Sequence, residues 1–257
     1  MLTISGGEPS FRDDDGSVSP GVTEALARYS AGEGSENAAL SALASSRLLV
    51  PVVAVLSEQL DGGAGEGSGA DQGSGAGDSG SAGYRGGGEK SSEMAMPTLI
   101  GMDGRRAMPA FTCLDSMRRW QPDARPVPVT ATAVWQAAVA DSCAVVVDVA
   151  GPVPIAVEGA RLAALARGEP APLPFTDPDV HEIVADVLAA QLDVSAFELL
   201  PGEAGPDLTI LLTWSSDRAD DAANRLAADV GHAVMARLGV RLRRGVAIRI
   251  DREDGRS

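Results

Sequence analysis

Cys113 and Arg119 are separated by five residues, the spacing of a cysteine-dependent phosphatase loop. That chemistry needs a thiolate nucleophile and a cradle of backbone amides around a phosphate. The intervening Leu114-Asp115-Ser116-Met117-Arg118 has no glycine to open its amides, and Asp115 sets a negative charge against the anion. The simpler reading is that Thr112 caps a short helix and Cys113 packs as a small apolar side chain. A Cys113-dependent hydrolase is the alternative.

The other reactive residue types are scattered. His181-Glu182 lacks a second histidine one turn on, at Ala185, so it is no zinc-protease helix. His232 shares a helix face with Asp221, Arg225 and Asp229, which reads as a solvated face rather than a catalytic group. Asp13-Asp14-Asp15 has neither the spacing nor the closing glutamate of a calcium loop. Two cysteines, Cys113 and Cys143, are too few for a disulfide scaffold or a four-cysteine zinc site. No Gly-x-Ser-x-Gly elbow and no Walker loop occurs. The expectation is no catalytic set, no metal and no cofactor. One basic cluster stands out: Arg241, Arg243, Arg244 and Arg249. It is the candidate interaction site, for an acidic protein or for RNA; the plainer reading is arginines guarding a strand edge.

The elements that would position these residues can be read from capping and periodicity. Ser19-Pro20 opens a helix whose Val22, Leu26 and Tyr29 share a face. A second helix spans 35–44. Leu48 to Leu56 is an apolar run suited to a strand buried on both faces, although Pro51 removes a donor from it. This strand is expected to join the sheet formed by Ala95 to Ile100. Strands at 95–100 and 107–111 flank the Asp103-Gly104 turn, a hairpin signal. Helices follow at 114–120, 130–140 and 159–166, with extended 125–129 and strands at 143–149 and 153–157. Asp177-Pro178 starts a helix reaching about Leu192. Strands then cover 197–200 and 207–214, where Leu208, Ile210, Leu212 and Trp214 alternate onto one face. A helix capped near Asp217 carries the stripe Leu226, Val230, Val234, Leu238, and a last strand holds Val246, Ile248 and Ile250.

The organisation follows. Thirteen of the 30 glycines fall between Gly62 and Gly88, among Ser, Ala, Asp and Glu, a composition that buries too little apolar surface to order itself. The expected class is α+β: two small mixed-sheet domains with helices packed on one face and a long Gly-rich disordered insertion. The boundaries are a mobile N-terminus at 1–18, a first domain at 19–168 interrupted by a flexible linker at 61–92, and a C-terminal α+β domain at 169–257 after the Pro170–Pro174 joint. The net charge of -15 disfavours nucleic acid and favours a basic protein partner. No run is long and apolar enough for a membrane span, and the first residues lack the basic and apolar regions of a secretory signal. A cytoplasmic protein is expected. Lys90 alone among 21 basic residues, with the Ala and Gly excess, points to a GC-rich genome.

The stretch Met96-Pro-Thr-Leu-Ile-Gly-Met-Asp-Gly-Arg-Arg-Ala-Met-Pro-Ala-Phe-Thr, followed by Arg125-Pro-Val-Pro-Val and Cys143-Ala-Val-Val-Val-Asp-Val-Ala-Gly-Pro, resembles the N-terminal domain of the SseB family (enhanced serine sensitivity protein B) in its actinobacterial form. The upstream Ala-Leu-Ala-Arg-Tyr and Arg-Leu-Leu-Val-Pro-Val-Val are similar to that family's opening helix and first strand. The resemblance covers about Phe11 to Gly168, and the C-terminal region more loosely. It implies an α+β fold and a family without an established catalytic mechanism, so it carries no catalytic residue over. With the missing catalytic set, the expectation is a non-catalytic protein-binding or regulatory module. The alternatives are the Cys113 hydrolase and an RNA- or translation-associated accessory protein using the C-terminal arginines.

Overall fold

The computed structural model describes residues 11, 13–56, 92–203, 205–214 and 220–252. The linker expected at 61–92 lies outside them except for Ser92, as does the cap expected near Asp217.

Short helices here start where a side chain can satisfy the free amides of a first turn. In α1 (Pro20–Ser30), Ser19 accepts from the Val22 amide, Pro20 fills the first position, and Val22, Leu26 and Tyr29 turn inward. Ser35 does the same for α2 (Glu36–Ala44) through the Ala38 amide. The chain then enters β1 (Arg47–Leu56), whose residues 48–51 are buried on both faces.

The expected Ala95–Ile100 strand is two strands. Pro97 sits in the break between β2 (Ser92–Ala95) and β3 (Leu99–Ile100). β2 pairs antiparallel with β1, Val53 opposite Ala95, whereas β3 forms the predicted Asp103-Gly104 hairpin with β4 (Arg106–Ala110). β1 therefore joins β2 and not β3. On its other side it pairs antiparallel with β5 (Arg125–Thr130), Pro51 opposite Pro126 and Leu49 opposite Pro128. The Leu49 amide and carbonyl both bond to Phe111, at 2.7 and 2.9 Å. By the alternation of an antiparallel ladder, odd-numbered residues of β1 thus face Phe111 and even-numbered ones face β5. This explains how a strand tolerates Pro51 opposite Pro126: neither position is asked to donate between β1 and β5. Pro126 and Pro128 turn their missing donors toward the open side of β5, which closes that edge to further pairing.

The Leu49–Phe111 bridge couples this sheet to a second, ordered β3-β4-β6-β7, with β6 (Ala144–Val147) parallel to β4 and β7 (Ile155–Val157) antiparallel to β6. Between β4 and β6 lie α3 (Leu114–Trp120), β5 and α4 (Ala131–Ala140, capped by Thr130). α4 packs with α5 (Gly159–Ala166) against β4 and β6, enclosing Trp135, Val145, Val147 and Leu165. The third sheet runs β10-β9-β8. Here β8 (Val194–Pro201) is antiparallel to β9 (Leu208–Trp214), and β10 (Val246–Arg252) is parallel to it. The alternating Leu208, Ile210, Leu212 and Trp214 pack with Val180 and Val184 of α6 (Pro178–Leu188) and with the predicted stripe of α7 (Asp220–Leu238). α6 stops at Leu188, short of Leu192, which is exposed. The chain is α+β.

The two halves meet over charges removed from water. Glu36 at the start of α2 is 4% exposed, Arg161 of α5 3% and Asp177, the α6 cap, 1%. Arg161 bonds Glu36 at 2.5 Å; Arg241, after α7, bonds Glu36 at 3.1 Å and Asp177 at 2.6 Å. Beside them the Tyr29 hydroxyl donates to the Val240 carbonyl, Arg243 lies over the Tyr29 ring at 4.9 Å, and the Asn37 amide donates to the Ala171 and Pro172 carbonyls. Burial pushes the Glu36 carboxyl above its ordinary range, and both guanidiniums pull it back.

Truncating one member of such a network strands a buried charge. Arg161→Ala should lower stability by about 3–5 kcal/mol, read from the midpoint of urea unfolding. Arg167→Ala, which breaks the exposed pair with Glu169, should leave the midpoint unchanged.

Candidate functional site

A cleft of about 580 Å³ opens between α1, the turn into α3, and the loop after β6. Its α1 wall carries Thr23, Leu26, Ala27 and Ser30; its floor carries Thr112, Cys113 and Ser116; its far side carries Pro152 and Val153. Asp115 and Arg119 line its rim. The fold thus brings Cys113 and Arg119 to one cavity, as their spacing allowed.

The floor is organised by Asp148, a residue that sequence reasoning did not single out as functional. It follows the apolar strand β6 directly, is 3% exposed, and has a left-handed backbone at φ 52°. Its carboxylate accepts from the Thr112 amide at 2.9 Å and the Thr112 hydroxyl at 2.6 Å. Burial raises its pKa, and hydrogen bonds from Thr112 and Ser116 offset only part of that rise. The turn closes with the Gly151 amide on the Asp148 carbonyl at 2.7 Å, so close that a Cβ at Gly151 would stand 2.8 Å from that of Asp148. The one available signal was an apolar run ending on a lone Asp three residues before Gly151.

Thr112, expected to cap α3, is instead engaged by Asp148. Cys113 is the cap: its Sγ accepts from the Ser116 amide at 3.5 Å and lies 3.4 Å from the Ser116 hydroxyl. Cys113 is half-buried at the cavity wall, so its thiol is within reach of a ligand there. Neither histidine lines the cleft. His181 lies on α6, stacked on Phe197 at 4.8 Å, and His232 is exposed on α7. Among the described residues, no group of His, Cys, Asp and Glu is placed to hold a metal ion.

Asp14 and Gly16, within the segment expected to be mobile, are tied to the same region. Asp14 binds Arg47, which also donates to the Thr112 carbonyl, and the Leu114 amide donates to the Gly16 carbonyl at 2.9 Å. Gly16 has φ 78°, and a side chain there would collide with Leu114.

The family model of the SseB protein N-terminal domain matches residues 22–164, more than half of the chain. The chain belongs to the SseB family. No curated protein and no solved structure matches it. The SseB-matched span contains every residue lining the cleft except Val18, including Thr112, Asp148 and the whole α1 wall.

The arginine cluster lies beyond the SseB-matched span, and each of its four members has a partner within the molecule. Arg241 joins Glu36 and Asp177, Arg243 covers Tyr29, and Arg244 binds Asp207 at 2.8 Å. Arg249 is exposed on β10, 3.7 Å from the exposed Glu203. Arg243, Arg244 and Arg249 stay exposed while making these contacts, and Arg241 is half-buried.

Asp148→Ala removes the acceptor of two buried donors and places alanine at a left-handed position. It should cost about 2–4 kcal/mol in thermal or urea unfolding. Asp148→Asn keeps one acceptor and a side chain that tolerates the backbone, and should cost clearly less. Because the folded-state pKa is raised, the native protein holds this proton more tightly than the unfolded chain. Wild type should accordingly gain stability on Asp148→Asn as pH falls through the folded pKa toward the ordinary aspartate value, and lose that gain as pH rises again.

Proposed function

We propose that this SseB-family protein is a non-catalytic cytoplasmic binding module that takes a segment of another protein into the cleft between α1 and Cys113–Arg119. The observation that carries the reading is the state of the cleft's polar groups. Asp148 is committed to Thr112, the Cys113 thiol to Ser116, and no histidine approaches either. A nucleophile there lacks the base that would activate it. What the cavity does offer is a pre-formed apolar wall of Leu26, Ala27, Pro152 and Val153 with fixed hydrogen-bonding groups at its floor, which suits recognition. The charge of -15 favours a basic partner steered from a distance. Both cysteines are free thiols, in keeping with a reducing compartment.

One observation favours a second reading. Cys113 reaches the cavity that Arg119 also lines, so a Cys113-dependent hydrolase keeps its geometry if a substrate supplies the proton acceptor. The RNA-associated reading draws less support, since Arg241, Arg243 and Arg244 already have partners in the chain.

Ala27 is exposed on the α1 wall, so Ala27→Trp fills the cleft without touching the core. In affinity capture from native cytosol, Ala27→Trp should lose the partner at least tenfold while Cys113→Ser retains it. Capture unaffected by Ala27→Trp would remove the cleft from the account. Turnover of an aryl phosphate that disappears in Cys113→Ser would replace the binding module by the hydrolase.

A further inference from the structure

Most of the sheet margins in this protein are blunted. β5 carries Pro126 and Pro128, β2 has four residues, β3 two and β7 three, and β8 is bulged between Val194 and Ala196 and ends on Pro201. β10 differs. It is seven residues long, has no proline or glycine, and forms one margin of its sheet. Among the described elements it packs against β9 on one side and α7 above, and no described strand bonds its outer edge. Such an edge presents an unsatisfied row of amides and carbonyls, a template for another strand.

The pattern along that edge identifies the strand it fits. Arg249 and Asp251 lie two residues apart, hence on the same face of β10, and both are exposed. Ile248 and Ile250 lie on the opposite face, toward α7 and the buried side of β9. Two copies of β10 placed antiparallel with Ile250 opposite Ile250 set each Arg249 across from the other copy's Asp251, twice, by symmetry. The register centred on Arg249 would oppose like charges, which an antiparallel ladder penalises. A two-fold axis requires that if one residue meets another, the second meets the first, and the Arg249/Asp251 pair satisfies that condition. The same axis, normal to the sheet, places α7 of both copies on one side of the joined sheet.

We propose that β10 is a self-association edge, on which a second copy of this chain pairs antiparallel about Ile250 to make a continuous six-stranded sheet. The contact is independent of the cleft, and its failure would leave the binding-module reading untouched.

Charge reversal tests it with the full chain. Sedimentation over rising concentration should show wild type passing from monomer to dimer. Arg249→Asp sets two acidic residues against two, and Asp251→Arg sets two basic residues against two; each variant alone should weaken the dimer at least tenfold. Mixed in equal amounts they should restore it, because each Asp now meets an Arg. Circular-dichroism melting of each variant separates loss of pairing from loss of fold. Wild type that stays monomeric at millimolar concentration overturns the proposal. So does a dimer that survives both reversals, or two well-folded variants that do not recover on mixing.

Discussion

Glu36, Arg161, Asp177 and Arg241 leave water together, and much of the arrangement around them follows from that. Two carboxylates and two guanidiniums balance, so the cluster carries no net charge into a medium that would tolerate none. Each comes from a different place: the first turn of α2, the body of α5, the cap of α6 and the turn after α7. Such a network is a poor source of raw stability compared with apolar packing, but removing one of its members leaves a buried charge without its partner. Its role here is to fix how the β8–β9–β10 sheet and its helices sit on the part of the chain that holds the cleft. Tyr29 reinforces this from the α1 side, since the helix that forms the cleft wall also donates to Val240 and lies beneath Arg243. The position of the cleft wall and the position of the C-terminal sheet are therefore parts of one arrangement.

Local signals made most of the fold legible. Ser19, Ser35, Thr130 and Asp177 mark helix starts because a capping oxygen is a short-range requirement. The stripes on α1 and α7 and the alternation of β9 are equally local. The split at Pro97 was not legible, because whether β2 and β3 share one sheet depends on where Phe111 meets Leu49. Pro51 looked like a flaw for the same reason. Only the pairing with β5 shows that its missing donor falls on the side where β5 asks for none.

The site was legible in its residue types and not in its organisation. Spacing drew attention to Cys113 and Arg119, and both reach the cleft. The residue that shapes its floor, Asp148, is a single aspartate whose importance comes from burial and from Thr112, 36 residues away. The arginines show the converse. Arg241, Arg243 and Arg244 form a cluster along the chain, but their partners Glu36, Asp177, Tyr29 and Asp207 are distant in sequence or unremarkable in composition. Charge patterning alone does not show which arginines already have partners within the chain.

The central claim, that the four buried charges join the two cores into one cooperative unit, is tested most directly by differential scanning calorimetry of wild type beside Arg241→Ala. Wild type should unfold in one transition whose calorimetric and van't Hoff enthalpies agree, and Arg241→Ala should separate it into two. Two independent transitions in wild type, or a single unshifted transition in Arg241→Ala, would contradict the account.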